Sequence, residues 1–523
     1  MALSFSLIAS PALAKGPKVE NDNFKHRYIP VQLLGINDFH GQINTTRTIG
    51  GQKAGGAEYL AAYLKQREAE NKNTLLVNAG DSVGASAPAS ALLQDEPTIE
   101  IFNELGFDVG TVGNHEFDEG VDEMLRLIYG GAHDTTGNFE GADFPYTAAN
   151  VISKETGKPI LPPYVIKKVN GMPIGFIGVV TTETPSIVIP SGVKDVEFID
   201  EAEAVNKAAE ELKARGIEAI VVLSHVPGES GIDGSHASGE VIDMANKVDD
   251  EVDVIFGGHN HGFINTVVDN KLIVQSYSYG TAFSDVDLMI DPKTKDIVEK
   301  EAEIVTTFHD GIEPDARVLE MVMNYEEEVG PLIEETVGVA SEPITRDELE
   351  ENGGETPLGN LIADAQRDAM GTDFAFMNPG GIRANIDEGT ITWGELYTVQ
   401  PFNNTLVSMN LTGDQIKQLL EQQWRDGSEK ILQISGLTYT WDPSADIGDK
   451  VVSIKKGENE IEPNEVYSVT VNSFLSSGGD GFTVLTEGTE QTTGPVDLDA
   501  LVDYIEQMEQ PISGPTDDRI KMK

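Results

Sequence analysis

The first 310 residues alternate between short apolar runs and longer stretches with the spacing of an amphipathic helix. Residues 57–70 show that spacing, with apolar positions recurring at intervals of three and four from Leu60 onwards. Further helices are predicted at 98–105 and 201–215, and buried strands at 31–36, 74–78, 109–112, 217–223 and 252–256. Strands that alternate with helices predict a layered α/β domain. Within it, Asn170-Gly171 predicts a type I′ turn between strands at 164–169 and 174–180.

The remainder of the chain has a different pattern. A helix is predicted at 358–370, a strand at 373–377, a turn at 378–381, and then mostly strands and hairpins before a last helix at 497–509. We interpret this half as a second, α+β domain. The polar, acid-rich helical stretch at 315–335 is interpreted as a connector, with a surface helix of the first domain as the alternative.

The composition narrows the number of domains, the class of protein and the partners that the sequence allows. The chain has 523 residues, which is too long for one ordinary core, and its 39% hydrophobic content favours a globular protein. Its 88 acidic residues against 36 Lys and Arg give a net charge of −52, which disfavours binding to nucleic-acid polymers or anionic membranes. This charge is typical either of a hydrated, soluble surface or of adaptation to high salt. The absence of cysteine excludes disulfides and thiolate sites.

The amino terminus resembles a signal peptide. Residues 1–14 are mostly apolar and end in Ala12-Leu13-Ala14, a pattern typical of a cleavage site, although no basic segment precedes them. We therefore expect an exported protein, which could be secreted, periplasmic or associated with the cell surface; the alternative is a frayed apolar terminus. No later run is long enough for an integral membrane segment. The predicted divisions are 1–14, a first domain at 28–312, a connector at 313–340 and a second domain at 341–520.

Polar residues follow the apolar runs of the first domain in five short blocks, which hold five of the nine histidines. The blocks are Asn37-Asp-Phe-His-Gly41, Asn78-Ala-Gly-Asp81, Gly113-Asn-His-Glu-Phe-Asp118, Ser224-His225 and Gly257-Gly-His-Asn-His261. Carboxylates, amides and imidazoles are ligands of divalent metals, and ligands commonly bind at the carboxyl ends of strands. The blocks therefore predict a metal centre.

The spacing within the blocks suggests how the ligands are shared. Asp38 and His40 would lie on one side of an extended segment and reach one ion, and His259 and His261 would do the same. Asp81 is suited to bridging two ions through its two oxygens. Two ions about 3.5–4 Å apart could hold a phosphoester between them, so the set predicts a two-metal phosphoester hydrolase.

Two of these segments carry a family resemblance. The segment from Phe107 to Asp118 and the segment Val31-Gln-Leu-Leu-Gly-Ile-Asn-Asp-Phe-His-Gly41 resemble the signatures of the calcineurin-like metallophosphoesterases, except that Gly35 stands where His, Glu or Ala is usual. The resemblance is closest to the two-domain 5′-nucleotidases, which include UDP-sugar hydrolases and 2′,3′-cyclic-nucleotide phosphodiesterases. It covers about residues 30–515.

The resemblance implies roles for the residues of the blocks. Two divalent ions are expected, of manganese, zinc, cobalt or magnesium. The first would be bound by Asp38, His40, Asp81 and His261, and the second by Asp81, Asn114, His225 and His259. His115 and Asp118 would form the catalytic pair. Some relatives have Gln in place of His261, and an imidazole there favours zinc-like metals.

The resemblance also assigns the substrate side to the second domain. Segment 378–383 resembles the NGGGIR segment of the family, which implies that Asn378, Gly381 and Arg383 contact substrate. Phe402 and Phe474 would stack on the base and Asp480 would bind the ribose hydroxyls; core packing is the alternative for the two rings. Relatives often carry an arginine before the helix that here begins near Thr356, so Arg383 is the one substrate arginine that we predict.

These features predict a 5′-nucleotidase that releases nucleoside and phosphate from a small nucleotide. A 2′,3′-cyclic-nucleotide phosphodiesterase with 3′-nucleotidase activity and a UDP-sugar hydrolase are alternatives. A non-catalytic surface binding protein is a third, from a different class. The metal identity, the preferred nucleotide and the oligomeric state are left open.

Overall fold

The structure is a computed structural model that describes residues 28–346, 353–425 and 427–523. The predicted signal segment at 1–14 lies outside the described residues. Among the described residues, none of the helices combines the length and apolar character that crossing a membrane requires.

The first domain contains two six-stranded sheets with parallel strands at the centre of each. The first sheet has the spatial order Ile297–Thr306, Ala282–Ile290, Ile29–Ile36, Thr74–Asn78, Val109–Thr111 and Tyr146–Thr147. The second has the order Tyr164–Val169, Met172–Val180, Ile220–His225, Val252–Phe256, Lys271–Ser276 and Phe263–Val268. Three ribbons pair Thr46–Ile49 with Gln52–Gly55, Gly131–His133 with Gly137–Phe139, and Val151–Ser153 with Val196–Phe198.

The two sheets pack face to face, and helices cover their outer faces. Side chains from both sheets, among them Leu33, Val77, Val221 and Phe256, form one buried cluster between them. The helices of the domain are Ala57–Glu70, Pro88–Ala91, Glu96–Leu105, Val121–Tyr129, Thr184–Ile187, Glu201–Ala214 and Glu240–Ala245. The layered α/β prediction is confirmed, since apolar strands buried on both sides need helices on their outer faces.

The predicted elements of this domain mostly match the structure. The helix at 57–70 has the predicted bounds, and Asn170 and Gly171 have the positive φ values that a type I′ turn requires. One strand begins later than predicted, at Ile220 and not at residue 217. The reason is a helix-ending turn, in which Gly216 has positive φ and the Ile217 amide donates to the Leu212 carbonyl.

The predicted connector is a helix, Ala316–Ile333, that packs on the first domain. Its buried residues Val318, Met321, Val322 and Val329 belong to the first domain's cluster under the first sheet. This packing agrees with the alternative interpretation, a surface helix of the first domain, and the division of the chain at a connector stays a prediction. The chain then passes directly into the strand Thr336–Ala340, and the Trp393 amide donates to the Glu335 carbonyl.

The second domain is α+β, as predicted. Its main sheet has the order Gln433–Ser435, Phe374–Met377, Val466–Asn472, Thr405–Thr412 and Thr489–Val496. A second sheet has the order Asn459–Glu460, Val451–Lys456, Thr438–Trp441 and Ile520–Met522. Two ribbons pair Thr336–Ala340 with Gly389–Thr392 and Trp424–Arg425 with Ser428–Glu429. The helices are Pro357–Met370, Trp393–Val399, Gly413–Glu421, Ser473–Ser476 and Asp497–Gln507.

Three helices of this domain lie where the sequence pattern predicted mainly strands and hairpins, and two of them have caps with a sequence signature. Thr392 caps the helix Trp393–Val399 by accepting from the Glu395 amide, and Thr412 and Gln415 form a capping box at the next helix. The spacing of Thr to Glu or Gln three residues later is a helix-start signal that the prediction did not use.

Gly35 is explained by the packing between the sheets. It lies on the central strand of the first sheet, and a Cβ atom there would lie 2.2 Å from a ring carbon of Phe256 on the facing sheet. The Phe256 ring therefore occupies the space that a larger residue at position 35 would need.

We predict that Gly35→Ala destabilises the protein by about 1–3 kcal/mol, the usual cost of overpacking a core. The measurement is the thermal unfolding midpoint, compared with that of wild type. In a Phe256→Leu background the same substitution should cost less, because the clash is with the ring. An equal cost in both backgrounds would show that the contact with Phe256 is not the cause.

Candidate metal centre and substrate pocket

The candidate ligands of the first domain lie in loops at the carboxyl ends of central strands from both sheets. Asp38, Asp81 and Asn114 follow strands of the first sheet. His225 ends a strand of the second sheet, and His259 and His261 follow the next strand. The structure brings together the ligating atoms of three groups, each within 4.8 Å: Asp38, His40 and His261; His40, Asp81 and His115; Asp81, His225 and His259.

The local backbone differs from the extended geometry that we predicted from the spacing. Strand Ile29–Ile36 ends before Asp38, and strand Val252–Phe256 ends before His259. Five of the seven candidate ligands have left-handed φ angles, between 50° and 80°: Asp38, His40, Asp81, His259 and His261. Such conformations are costly for residues other than Gly and cluster at functional sites. Tight turns, and not strand alternation, therefore direct these side chains toward the candidate metal centre.

Asp81 lies between the two halves of the candidate centre. Its Oδ2 atom is 3.0 Å from His225 Nε2 and 3.6 Å from His40 Nε2. Its Oδ1 atom accepts a hydrogen bond from the His115 amide at 2.9 Å. Gly113 makes this approach possible, because a Cβ there would lie 2.2 Å from Asp81 Oδ1.

His259 and His261 lie in different halves, which corrects the expectation that spacing alone would place both on one ion. His261 Nε2 is 3.1 Å from His40 Nε2 and 3.6 Å from Asp38 Oδ1. His259 Nδ1 is 2.8 Å from the amide oxygen of Asn114. The turn at positions 259–261 thus sends the two rings to different groups of candidate ligands; which ion each would bind remains a prediction.

Outer hydrogen bonds orient two of the imidazoles. His40 Nδ1 donates to the Gly84 carbonyl at 2.8 Å, and His225 Nδ1 donates to the Ala79 carbonyl at 2.9 Å. Each leaves Nε2 directed at the centre, as in proteins in which a second hydrogen bond fixes a metal-ligating histidine. The Nε2 atom of His225 is buried and makes no hydrogen bond of acceptable geometry to a described residue, although Asp81 Oδ2 is only 3.0 Å away.

The electrostatics of the centre also fit a bound cation. Burial raises the pKa of Asp38 to about 7. Burial alone would lower the pKa of His225, but the Asp81 carboxylate raises it to about 10. Burial lowers the pKa of both His259 and His261 to about 3, so these rings are neutral. The buried carboxylates thus favour positive charge beside them, and the neutral rings of His259 and His261 can donate to a metal, so this donor set suits divalent ions.

His115 and Asp118 form a pair beside the centre. His115 Nδ1 is 2.7 Å from Asp118 Oδ2. Burial alone would lower the pKa of His115, but the Asp118 and Asp81 carboxylates raise it above its ordinary value. The ring lies nearly parallel to Phe402 of the second domain, with 5.9 Å between centroids.

A cavity of about 690 Å³ lies between the domains and is lined by residues from both. From the first domain it is lined by Asn114, His115, Asp118, His259 and His261. All six candidate substrate residues line it as well: Asn378, Gly381, Arg383, Phe402, Phe474 and Asp480. The structure thus places the candidate substrate residues beside the candidate metal centre.

Hydrogen bonds position the polar groups at the second-domain end of this cavity. The Asn378 amide donates to Asp480 Oδ2 at 3.1 Å and accepts from the Asn472 amide at 2.9 Å. Lys430 Nζ donates to the other Asp480 oxygen at 2.6 Å. Asp480 has a left-handed backbone (φ 54°), which the adjoining glycines help to accommodate.

Comparison with known proteins identifies the family. The calcineurin-like phosphoesterase model matches residues 31–263, and the model of the 5′-nucleotidase C-terminal domain matches residues 336–487. The cell wall protein Lmo0130 of Listeria monocytogenes is 37% identical over 524 residues, which cover 91% of this chain and 67% of that protein. The chain belongs to the two-domain 5′-nucleotidase family.

Two further relatives show how much of this chain, and how much of each relative, the similarity covers. Endonuclease YhcR of Bacillus subtilis is 45% identical over 527 residues, which cover 97% of this chain but only 43% of that protein. The chain therefore spans less than half the length of this curated relative. A crystal structure of a 5′-nucleotidase precursor from Thermus thermophilus superposes with a TM-score of 0.80 at 28% identity, covering 94% of this chain and 99% of that one.

Glu116 is a residue of the candidate metal centre to which the sequence analysis gave no role. Its buried carboxylate accepts hydrogen bonds from the amides of Asp81, Ser82 and Gly113. It therefore joins the loop that carries Asp81 to the loop that carries Asn114. Its place in the block 113–118 was the available signal, but a carboxylate bound to backbone amides cannot be told from a ligand by spacing.

Lys430 and Tyr279 are two other cavity residues that the sequence did not reveal. Lys430 pairs with Asp480, and the ring of Tyr279 lies edge-on to His40 and His261. Neither residue lies in a recognisable block, so no sequence signal marked them.

We predict that Asp81→Asn lowers the metal content from about two divalent ions per chain to fewer than one, because an amide cannot replace a shared carboxylate. Elemental analysis of metal-replete protein is the measurement. The control is Asp253→Asn, a buried aspartate in the same domain that bonds Lys300 at the other end of the strand leading to His259. Full metal content in Asp81→Asn would contradict the prediction.

Proposed function

We propose that this chain is a metal-dependent hydrolase of nucleotide phosphoesters, most specifically a 5′-nucleotidase that releases nucleoside and phosphate. The observation that carries the proposal is the shared cavity, in which the donor set of the first domain faces Phe402, Phe474 and Asp480 of the second. The family assignment and the similarity to the T. thermophilus 5′-nucleotidase precursor support it.

The residue roles are part of the same proposal. Asp38, His40, Asp81 and His261 would hold one divalent ion, and Asp81, Asn114, His225 and His259 the other. When bound, two such ions supply Lewis-acid chemistry to a phosphoester. Their identity as manganese, zinc, cobalt or magnesium is not part of the proposal.

His115 would act on the phosphoryl group itself. Asp118 accepts from its Nδ1 atom at 2.7 Å and raises its pKa against the effect of burial, which favours a proton on the ring. A protonated His115 would stabilise negative charge that develops on the phosphoryl oxygens, or donate a proton from Nε2 to the leaving oxygen. The nearly parallel Phe402 ring limits the positions that the His115 ring can take.

The second domain would bind the nucleoside. Phe402 and Phe474 are half-buried and line the cavity, where their rings could contact a base. Asp480, held by Asn378 and Lys430, would accept from the ribose hydroxyls, and Arg383 would bind phosphate oxygens. The domain limits 28–312, 313–340 and 341–520 belong to the proposal and are supported by the two family matches.

We also propose that the protein acts after export. The support is its similarity to a cell wall protein and to a 5′-nucleotidase precursor, together with the apolar residues 1–14.

The direct test is phosphate release from AMP, 3′-AMP, 2′,3′-cyclic AMP and UDP-glucose, with and without added manganese, zinc or cobalt. Metal-dependent release from AMP with the highest kcat/KM is the expected result. A higher kcat/KM for the cyclic or 3′ substrates would favour the phosphodiesterase alternative, and one for UDP-glucose the sugar-nucleotide alternative. No hydrolysis of any of them by metal-replete protein would contradict the proposal.

We predict that His115→Asn lowers kcat for AMP by about 100-fold or more, as expected for loss of a general acid or of charge stabilisation. Metal content should stay near that of wild type, because His115 is not among the proposed ligands. The matched control is His309→Asn, since His309 stacks on Tyr59 and does not line the cavity. A loss of metal in proportion to activity would assign His115 a ligand or scaffold role.

We predict that replacing both Phe402 and Phe474 by Ala raises KM for AMP by about 10-fold or more, since stacking a base on an aromatic ring contributes ~1–3 kcal/mol in single-strand binders. Hydrolysis of p-nitrophenyl phosphate, which has no base, should change much less. Phe263→Ala, at a half-buried phenylalanine outside the cavity lining, is the control. Equal losses on both substrates would show that the rings serve the fold.

A further inference from the structure

Lys430 lines the substrate cavity next to Asp480, the residue proposed to bind the ribose hydroxyls. Its Nζ atom is 2.6 Å from Asp480 Oδ1, and its side chain is 30% exposed, so the ammonium group is open to the cavity. An ammonium group has three N–H donors. Among the described residues, Asp480 alone accepts from Lys430 Nζ, which leaves two donors for a bound molecule.

A short ribbon fixes Lys430 relative to Asp480. The ribbon pairs Trp424–Arg425 with Ser428–Glu429, and Lys430 follows it directly. The Arg425 guanidinium donates to the backbone carbonyl of Asp480. The ribbon therefore holds Asp480 at two points, through the main chain by Arg425 and through the carboxylate by Lys430.

The Asp480 carboxylate is also fixed from a second side. Its Oδ2 atom accepts from the Asn378 amide at 3.1 Å. Asp480 is buried, and a buried carboxylate without a partner is costly, so the positive charge of Lys430 offsets part of that cost. The result is a carboxylate and an ammonium group held side by side at the cavity wall.

This pair of charges matches the chemistry of a ribose. Each sugar hydroxyl has a hydrogen to donate and an oxygen that accepts. Asp480 can accept from a hydroxyl while Lys430 donates to the oxygen of the same or the neighbouring hydroxyl. A sugar without hydroxyls would exclude water and leave both charged groups without that partner. Sites built to bind a hydroxyl in this way reject analogues that lack it.

We propose that Lys430 is a specificity-determining residue that donates a hydrogen bond to a ribose hydroxyl oxygen and so selects ribonucleotides over nucleotides with deoxygenated sugars. The inference rests on the proposed nucleotide function and names its substrate class. Lys430 acts by direct contact with the sugar, in addition to holding Asp480 in place.

The test compares adenosine with 2′,3′-dideoxyadenosine in wild type, Lys430→Met and Lys430→Gln. Kd is measured by calorimetry on metal-replete protein, and KM is measured for AMP and 2′,3′-dideoxy-AMP. Lys430→Met should weaken adenosine and AMP by about tenfold, as expected for loss of a charge-assisted hydrogen bond, and the dideoxy compounds by less than about twofold. Lys430→Gln keeps a neutral donor and should give a smaller loss with the same selectivity.

The matched control is Lys456→Met, because Lys456 pairs with Asp373 in the same domain and does not line the cavity. It should change neither Kd nor KM. Equal losses for the ribose and dideoxy compounds in both Lys430 variants would overturn the inference. In an Asp480→Asn background, Lys430→Met should weaken adenosine further. The absence of a further loss would show that Lys430 acts only through Asp480, and would overturn the direct contact.

The binding measurements separate this inference from the proposed function, because adenosine has no phosphoester to hydrolyse. A selective loss of adenosine binding in a protein that hydrolyses no nucleotide would support the role of Lys430 and reject the proposed activity. Normal hydrolysis of AMP with unchanged selectivity in Lys430→Met would support the activity and overturn the inference.

Discussion

The burial of Asp38, Asp81, His40 and His225 at one point is the constraint on which the rest of the structure depends. Taking several ionisable groups out of water is costly unless opposite charge or hydrogen bonds compensate for it. Here the compensation is built from strand ends of two sheets, from backbone carbonyls that orient His40 and His225, and from Glu116, which joins two of the loops. The left-handed backbone at five candidate ligands costs further free energy, and the packing of the two sheets holds the backbone in this conformation. Bound cations would offset the remaining cost of burying these carboxylates.

Much of the architecture could be predicted because apolar periodicity reports directly on burial. The helix Ala57–Glu70 and the strands Thr74–Asn78 and Val252–Phe256 have the bounds that their patterns predict. The predictions were weaker where hydrogen bonds decide an element's limits. The turn at Gly216 delayed a strand, and capping by Thr392 and Thr412 began helices in a region that otherwise has the pattern of strands.

For the candidate metal centre, too, the sequence predicted some features and not others. Residue types in five blocks were enough to predict which side chains gather, since the carboxyl ends of neighbouring strands meet at one edge. Strand alternation gave the wrong local geometry, because the chain has left the strands before Asp38 and His259. Contacts between residues far apart in the sequence, such as Lys430 with Asp480 and His115 with Phe402, have no local pattern and required the three-dimensional structure.

The candidate metal ligands and the candidate nucleoside-contacting residues of the cavity between the domains lie in separate parts of the sequence. Every candidate metal ligand lies between positions 38 and 261, and every candidate nucleoside-contacting residue lies between 378 and 480. Substitutions in the second segment can therefore alter which molecule is chosen while the reactive machinery stays intact. A gene can thus keep the part that encodes the metal centre and vary the part that encodes the second domain, so that one reaction serves many leaving groups.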